Sequence, residues 1–538
     1  MSFIAAFEAE AEAEAAAPSN RRTSKDGIDP EKMRRMRDDK LLQIRKSRRN
    51  DKAMVQRRRV EPDSEEGVDG VDDAGMQQDK QHQQGRVVGG ITISNGAISS
   101  QIRELPMRTA DLMSDQIELQ HTGIVYFRKI LSIPKNPPVD LVIQAGAVPR
   151  IISFLDLAVD PELQFEATWC VTNIACGEPH HSLNLVQNNL LPAIVNLIVY
   201  SDSDKVRAQA LWALSNMSSD LECRDMVIQA GALTPIFWLL NIEQIPNRST
   251  VANQSLDMMQ HLSHILCNLC RGAKSLQTNV LQAITFALSD LLQSPDETVY
   301  TTIADTLVSM CEKGDEYIRV VLEQGILTRV HALLNDPKVS EICCRVFCAV
   351  IRSQNELYVR LVCSSKFPRV FESIVQTISN VDAKARVDGV SEICLSIGRL
   401  FEVDNKYTSK LVNLNLIDAL IAAVGKNRHD LTLHAGGCLT LIISHTDSDE
   451  ILHRCTHALG ALAALFTPET SLDLLGMALV STRKLVTFLL RQGCTMDPNT
   501  HAFILQQMNL LLNHANSEIS ELADTVVRMV EGVDEEVV

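Results

Sequence analysis

The sequence predicts an all-α fold in which short helical repeats stack into a right-handed superhelical solenoid behind a basic N-terminal arm. From about residue 105, apolar residues recur at helical spacing, and only 4% of the chain is aromatic. In this region a small turn residue followed by an apolar run recurs, and its copies end at Leu155, Ile198, Leu240, Leu292, Leu334, Ile374, Val424 and Leu465. A spacing of 40 to 52 residues in an all-helical chain is typical of armadillo and HEAT repeats.

Such repeats are expected to form one continuous array. A single repeat cannot bury its apolar face alone, so neighbouring repeats stack and line a long concave groove. The copies contain a Gly or an Asn, such as Gly146 or Asn189, where a break between a short and a long helix is predicted.

Composition divides the 538 residues into five segments. They are, in order, a low-complexity tail (1–20), a basic arm (21–60), a flexible linker (61–104), an armadillo-repeat domain of about nine or ten repeats (105–530) and an acidic tail (531–538). Within the arm, Asp29 as N-cap and Pro30 at the first helical position predict the start of a helix.

The charge is divided between the arm and the body. The formal net charge is −16, but residues 21–59 hold 16 Lys and Arg against 6 Asp and Glu. The arm therefore carries +10, and the remainder carries −26. A basic arm on an acidic body predicts attraction within the chain, or a basic partner for the body.

The composition also argues against several classes of protein. There is no apolar run of 18 residues that would predict a membrane span, and the acidic N-terminus is a poor signal peptide. The 14 Cys lie mostly in apolar helical settings, which is typical of buried, reduced thiols. Cys267 and Cys270 form a CxxC without a second pair, so we interpret them as helix packing.

The sequence offers no signature of an enzyme. It has no Gly-rich phosphate loop and no metal-ligand cluster, and the adjacent His180 and His181 are interpreted as a solvated turn. No catalytic residue, cofactor or metal is therefore predicted.

Two similar hexads carry the strongest functional signal. The segments 168–173 and 211–216 each place a Trp and an Asn four residues apart, on one face of a helix. Trp169 and Trp212 are 43 positions apart, one structural period, in a chain with only three Trp. The pattern predicts a ladder of peptide-gripping sites. The alternative is that each Trp is a core residue, as Trp238 is interpreted to be.

With these motifs the chain resembles the importin-α family of nuclear import adaptors. Segment 31–49 resembles the family's importin-β-binding segment, a basic helix held inside importin-β. The resemblance assigns importin-β binding to Arg34, Arg35, Arg37, Lys40, Arg45, Lys46, Arg48 and Arg49. Segment 56–60 resembles the family's short basic cluster that imitates a localisation signal, so the chain's own groove is expected to hold Arg57, Arg58 and Arg59.

The resemblance also assigns a major signal site, in which successive Trp–Asn pairs line the groove. The matching residues are Trp169, Asn173, Gly177, Ser182, Gln209, Trp212, Asn216, Asp220, His264 and Asn268. Asp220 stands at the family's acidic position and is expected to pair with a Lys of the signal. His264 replaces the Trp of the third pair, which weakens one wall of the site.

A second, minor site of the family lies in the later repeats and is poorly matched here. Its pairs align near Leu395 and Arg399 and near Cys438 and Ile442, and no Trp follows Trp238. The composition therefore argues against a second copy of the ladder.

The resemblance implies a nuclear import adaptor that shuttles between cytoplasm and nucleus. Its implied partners are importin-β, cargo proteins with basic nuclear localisation signals, an export receptor that recycles the adaptor and, indirectly, nuclear pore components. No nucleic acid or membrane partner is expected. The alternative left open by the residues is an armadillo scaffold for signalling or junctional partners, whose basic arm serves another purpose.

Overall fold

The computed structural model describes residues 102–133, 136–242, 255–271, 276–380, 387–426, 428–467, 469–494 and 496–532. Within these ranges the regular structure is helical and contains no strand. The described residues fall into two compact units, with the boundary after Leu276. The predicted arm, nearly all of the linker and residues 533–538 lie outside the described residues.

The first unit, residues 102–276, begins with two helices and continues as triplets of two shorter helices and one long helix. Its helices are α1 (Leu105–Met113), α2 (Ile117–Leu131), α3 (Val139–Gln144), α4 (Val148–Ser153), α5 (Pro161–Ala175), α6 (Pro179–Gln187), α7 (Leu190–Tyr200), α8 (Asp204–Ser219), α9 (Leu221–Gln229), α10 (Leu233–Leu239) and α11 (Leu256–Arg271). The long helices α2, α5, α8 and α11 pack against one another in sequence order.

The second unit, residues 277–532, repeats this arrangement. Its helices are α12 (Thr278–Leu291), α13 (Glu297–Cys311), α14 (Asp315–Glu323), α15 (Ile326–Leu333), α16 (Ser340–Ile351), α17 (Glu356–Val362), α18 (Val370–Ser379), α19 (Val387–Val403), α20 (Asn405–Asn413), α21 (Leu416–Val424), α22 (His429–His445), α23 (Asp449–Cys455), α24 (Leu459–Ala463), α25 (Leu472–Arg491), α26 (Pro498–Leu511) and α27 (Ser517–Glu531). A short 3₁₀ turn separates α23 from α24, and the long helices α13, α16, α19, α22 and α25 pack in succession.

Local sequence explains where the repeat helices begin and turn. Asp160 caps α5, because its carboxylate accepts hydrogen bonds from the N–H groups of Glu162 and Leu163 at 2.9 and 3.3 Å. Gly146 and Asn189 have φ of +70° and +65°, the left-handed conformation that Gly and Asn adopt most readily. A break at each of these two residues is confirmed, but each lies between the two shorter helices of a repeat and not, as predicted, between a short and a long helix.

The repeat period is confirmed by the long helices, since α2, α5, α8 and α11 begin at residues 117, 161, 204 and 256. Their apolar faces form the core of the unit, where Phe127, Ile174 and Leu214 are fully buried. The predicted all-α repeat solenoid is therefore confirmed, while its right-handed superhelix stays a prediction. All 14 Cys are free thiols, and all but Cys494 are buried.

No single described helix has both the length and the apolar composition needed to cross a membrane. The bent pair of α6 and α7 passes that test together, by length and composition only. In the first unit the apolar side of α7 is buried, with Leu190, Ile194 and Leu197 fully covered.

Two adjacent glycines in α22 provide a matched test of repeat packing. A Cβ on Gly436 would lie 2.8 Å from Leu465 Cδ2, whereas a Cβ on Gly437 would meet its nearest neighbour, Leu474 Cδ1, at 3.6 Å. Gly436→Ala should therefore destabilise the unit by about 1–3 kcal/mol through overpacking. Gly437→Ala should stabilise it by roughly 0.5–1 kcal/mol, because Ala is the better helix former. Thermal unfolding followed by circular dichroism checks both; a Tm for Gly436→Ala at or above the parent's would contradict this packing.

Candidate peptide-binding site

Four successive long helices of the first unit carry side chains at two matching positions, which we name the ladder. The first ladder positions of α2, α5, α8 and α11 are Arg128, Trp169, Trp212 and His264. The second ladder positions, four residues later, are Ser132, Asn173, Asn216 and Asn268. The predicted Trp–Asn pairs thus lie on consecutive, packed helices of one unit.

The second ladder positions tie each long helix to the preceding one. The donor–acceptor pairs are Asn173 Nδ2 to Ser132 Oγ (3.1 Å), Asn216 Nδ2 to Thr172 O (2.9 Å) and Asn268 Nδ2 to Ser215 O (3.1 Å). In the last two pairs the acceptor immediately precedes a second ladder position of the neighbouring helix. The repeated bond therefore gives the helices a common register.

The side-chain carboxamides differ in how far they are exposed, and therefore in whether a ligand can reach them. Asn173 is 0% exposed and Asn216 is 2% exposed, whereas Asn268 is partly exposed. Gln209 is 1% exposed and donates to Thr172 Oγ1 at 2.8 Å, so it belongs to the buried network between α5 and α8. Asn268 is therefore the carboxamide that a ligand backbone reaches most readily.

The Trp rings at the first ladder positions contact side chains of the chain itself. The guanidinium of Arg128 lies over the Trp169 ring, with Cζ 4.8 Å from the ring centroid. The imidazole of His261 stacks on the half-buried Trp212, with ring centroids 5.1 Å apart. Neither contact was predicted. The one sequence signal for Arg128 is its place 41 residues, about one repeat, before Trp169.

His264 occupies the position of the third Trp. Burial lowers the pKa of its imidazole below the usual value, and the charge of Arg271 lowers this pKa further. The imidazole is therefore uncharged at neutral pH and does not repel a basic ligand.

The predicted acidic position and the predicted hydroxyl are brought together. Ser182 Oγ donates to the carboxylate of Asp220, which lies where α8 ends and α9 begins. Gly177 is sterically constrained, because a Cβ there would lie 2.2 Å from His181 Nδ1. Because Asp220 stands between the negative end of α8 and the positive end of α9, its carboxylate, rather than the helix dipoles, favours a cation at this point.

Asp140 joins the two adjacent His, a contact that was not predicted. The two His lie in the first turn of α6 and not in a solvated turn as expected, and His181 is 5% exposed. Its Oδ1 lies 3.1 Å from His180 Nε2 and 2.9 Å from His181 Nε2, and these hydrogen bonds, that of His181 first, lower the pKa of the Asp140 carboxyl. The N–H of Glu178 donates to His181 Nδ1 at 2.9 Å, so Nε2 carries the proton and donates to Asp140. This donor set fits a hydrogen-bonded helix start better than a metal site. Among the described residues, the other group within ligand distance is His121, Asp160 and Glu162, of which Asp160 caps α5.

The second unit also has hydrogen bonds between its long helices. Ser396 Oγ donates to Cys348 O at 3.0 Å, and Ser481 Oγ donates to Thr440 O at 3.1 Å. Arg345 of α16 pairs with Glu392 of α19 as Arg128 of α2 pairs with Glu166 of α5, and Glu166 lies three residues before Trp169. This likeness favours Leu395 and Arg399 as the ladder positions of α19, which stay a prediction.

Charged side chains lie on the long helices α13, α16 and α19 of the second unit. Arg345 Nε lies 2.7 Å from Glu392 Oε2, and Arg345 Nη1 lies 3.5 Å from Asp305 Oδ1 on α13. Burial opposes the charged form of Arg345, but the neighbouring carboxylates, Glu392 first, raise the pKa of the guanidinium overall. The carboxylates at these positions thus already hold a cation of the chain.

The arm residues predicted to bind importin-β or the groove lie outside the described residues, so comparison with known proteins bears on them. A model of the importin beta binding domain matches residues 21–125. Models of the armadillo/beta-catenin-like repeat and of the HEAT-like repeat match residues 135–176 and 161–217.

Two plant proteins are similar to the chain. Importin subunit alpha-2 of Arabidopsis thaliana is 32% identical over 308 residues, which cover 57% of this chain and 52% of that protein. Importin subunit alpha-1b of Oryza sativa subsp. japonica is 34% identical over 247 residues, which cover 46% and 44%. The chain thus spans about half the length of the curated relatives it matches.

The fold has a counterpart among solved structures. An engineered protein aligns with a TM-score of 0.60 at 18% identity, covering 80% of this chain and 99% of that protein. At this identity the likeness supports the fold alone.

Proposed function

We propose that this chain is a member of the importin-α family of armadillo-repeat proteins, a nuclear import adaptor that binds basic nuclear localisation signals on the ladder of its first unit. One observation carries the proposal: Trp169 and Trp212 occupy the same position on the successive, packed helices α5 and α8, and Asp220 lies at the end of α8. Proteins of this family are non-enzymatic, so the ladder is assigned to binding rather than to catalysis.

The ladder suits an extended basic peptide, whose alternate side chains point to opposite faces. The aliphatic stems of Lys and Arg pack beside the half-buried Trp212, and a cation over its ring contributes about 0.5–2 kcal/mol. Trp169, which is 6% exposed and covered by Arg128, bounds the site at α5. Asp220 supplies the charge that selects Lys in one pocket. The partly exposed Asn268 is best placed to bond the peptide backbone, which holds the peptide straight without reading its sequence.

The arm supplies the link to the transport machinery. Residues 29–49 bind importin-β as a basic helix, and the match of residues 21–125 to the importin beta binding domain favours this role over a signalling or junctional scaffold. Because the cluster 57–59 is tethered to the groove, it competes with cargo at high effective concentration until importin-β withdraws the arm. An export receptor then recycles the adaptor, which shuttles between cytoplasm and nucleus and meets nuclear pore components indirectly.

The acidic position tests the signal site directly. Asp220→Lys should weaken binding of a Lys-rich peptide by about tenfold or more, because like charges would face each other in the pocket. Glu222→Lys makes the same change of net charge at an exposed residue of α9 and should leave the affinity within about twofold. Calorimetry at fixed salt on the chain without residues 1–70 measures both. If Asp220→Lys and Trp212→Ala both bind normally, the signal site lies elsewhere.

Self-inhibition is tested by removing the cationic cluster. Replacing Arg57, Arg58 and Arg59 with Ala should strengthen cargo binding by the full chain and preserve importin-β binding, because the tethered competitor is gone. The linker of about 45 residues is long enough, since an extended residue spans about 3.3 Å. The matched control replaces Arg34, Arg35 and Arg37 with Ala, which should weaken importin-β binding and leave cargo affinity unchanged. Equal cargo affinity for the 57–59 variant and the parent would refute self-inhibition.

The second unit is expected to add little to signal binding. A bipartite peptide should bind within about threefold of a monopartite peptide with the same major cluster, because Arg345 already pairs with Asp305 and Glu392. Arg345→Gln leaves these carboxylates without their cation and should increase the bipartite advantage. A bipartite gain of about tenfold, or about 1.4 kcal/mol, in the parent chain would show that other groups bind the second cluster.

A further inference from the structure

The ladder step on α2 holds a cation of the chain where the next two steps hold Trp. Arg128 and Ser132 have the same spacing as Trp169 and Asn173, and Ser132 Oγ accepts the hydrogen bond from Asn173 at 3.1 Å. Arg128 therefore lies at a first ladder position, one step before Trp169.

Arg128 makes the contacts that a basic side chain of cargo would make. Its Cζ lies 4.8 Å from the centroid of the Trp169 ring, and its Nε donates to the carboxylate of Glu166. Arg128 is 8% exposed and Trp169 is 6% exposed, so together they leave little of the ring open. Because Arg128 is part of the chain, its contact loses no translational freedom, which a cargo side chain must lose on binding.

We propose that Arg128 is a specificity-determining residue that closes the ladder at α2 and limits how many basic side chains the site reads. The inference rests on the proposed function and specifies the length of signal that the site accepts. A basic residue that extends the signal beyond the Trp169 step meets a like charge and gains no ring contact. Without Arg128, the Trp169 ring and the Glu166 carboxylate together fit one further Lys or Arg of a peptide.

Arg128 and Glu166 also connect α2 to α5, so a purely structural role must be distinguished from the proposed one. Loss of a structural contact lowers stability and acts alike on all peptides. Loss of a residue that limits the length of the site increases the affinity for a longer signal relative to a shorter one. The ratio of two affinities therefore separates the roles.

The test uses the full chain and compares the parent with Arg128→Gln. Two probes are titrated at fixed salt by fluorescence anisotropy: a short Lys-rich peptide, and the same peptide extended by one Lys, at either end in turn. Competition from the basic arm affects both peptides alike, so it cancels in the ratio of their Kd values. As a control for nonspecific attraction between charges, a third peptide carries the extra Lys behind a flexible spacer. In the parent, we expect the short and the extended peptide to have Kd values within about twofold of each other. In Arg128→Gln, the peptide extended at one of its two ends should bind about fivefold or more tightly than the short peptide, because it gains a cation–π contact with Trp169.

Two further variants keep the test decisive. Arg128→Lys should restore the parent's ratio, because it restores a cation over the ring. The double variant Arg128→Gln, Glu166→Gln removes both charges of the ion pair, so it replaces the single variant if that one does not fold. The double variant should also favour the extended peptide over the short one by more than the parent does. Ratios equal to the parent's in these Gln variants overturn the inference and leave the proposed function intact. Failure of the parent to bind either peptide overturns the proposed function itself.

Discussion

A hydrogen bond between neighbouring long helices fixes the geometry on which the candidate site depends. In the first unit, the carboxamide of Asn216 donates to the carbonyl of Thr172, in the last turn of the preceding long helix. Thr172 O also accepts the N–H of Cys176 at 3.1 Å, so the Asn216 carboxamide uses the second lone pair of a carbonyl that is already bonded within its own helix. Asn216 is 2% exposed, and the loss of a hydrogen bond by a buried carboxamide costs free energy. A helix that slipped by one residue along its neighbour would lose this bond, whereas apolar contacts alone tolerate such a slip more easily. The polar bond therefore supplies the register, and the apolar core supplies most of the stability.

Once the register is set, equivalent positions lie on successive helices, and the residues at those positions decide what the surface binds. In the first unit they are Trp169 and Trp212, whose π faces and flat sides suit the stems and charges of Lys and Arg. In the second unit Arg345 has the position on α16 that Arg128 has on α2, and it pairs with Glu392 of α19. A change of side chain on the same scaffold is enough to turn a surface that suits cations into one that already contains its own.

The features that were predictable from the sequence depend on short segments. The helical period and the turns at Gly146 and Asn189 are local signals, and the structure confirms them. The spacing of each Trp–Asn pair is also local, which is why the ladder was predictable, although its role in binding stays a prediction. Arg128 over Trp169 and Asp140 beside His181 each join residues 41 positions apart. Such contacts depend on the register between repeats of unequal length, which the sequence alone does not supply.

The contact of Arg128 with Trp169 raises the question of why a charged residue lies at a nearly buried position. A buried ion pair usually adds little net stability compared with apolar residues of similar volume, because both charges must be desolvated. Packing alone would therefore be served as well by an apolar side chain on Trp169. A guanidinium differs from an apolar side chain in what it excludes, since its charge repels the Lys or Arg that the ring would otherwise attract. The charge of Arg128, rather than its volume, is thus the property that bears on function, and the same argument applies to Arg345 between Asp305 and Glu392.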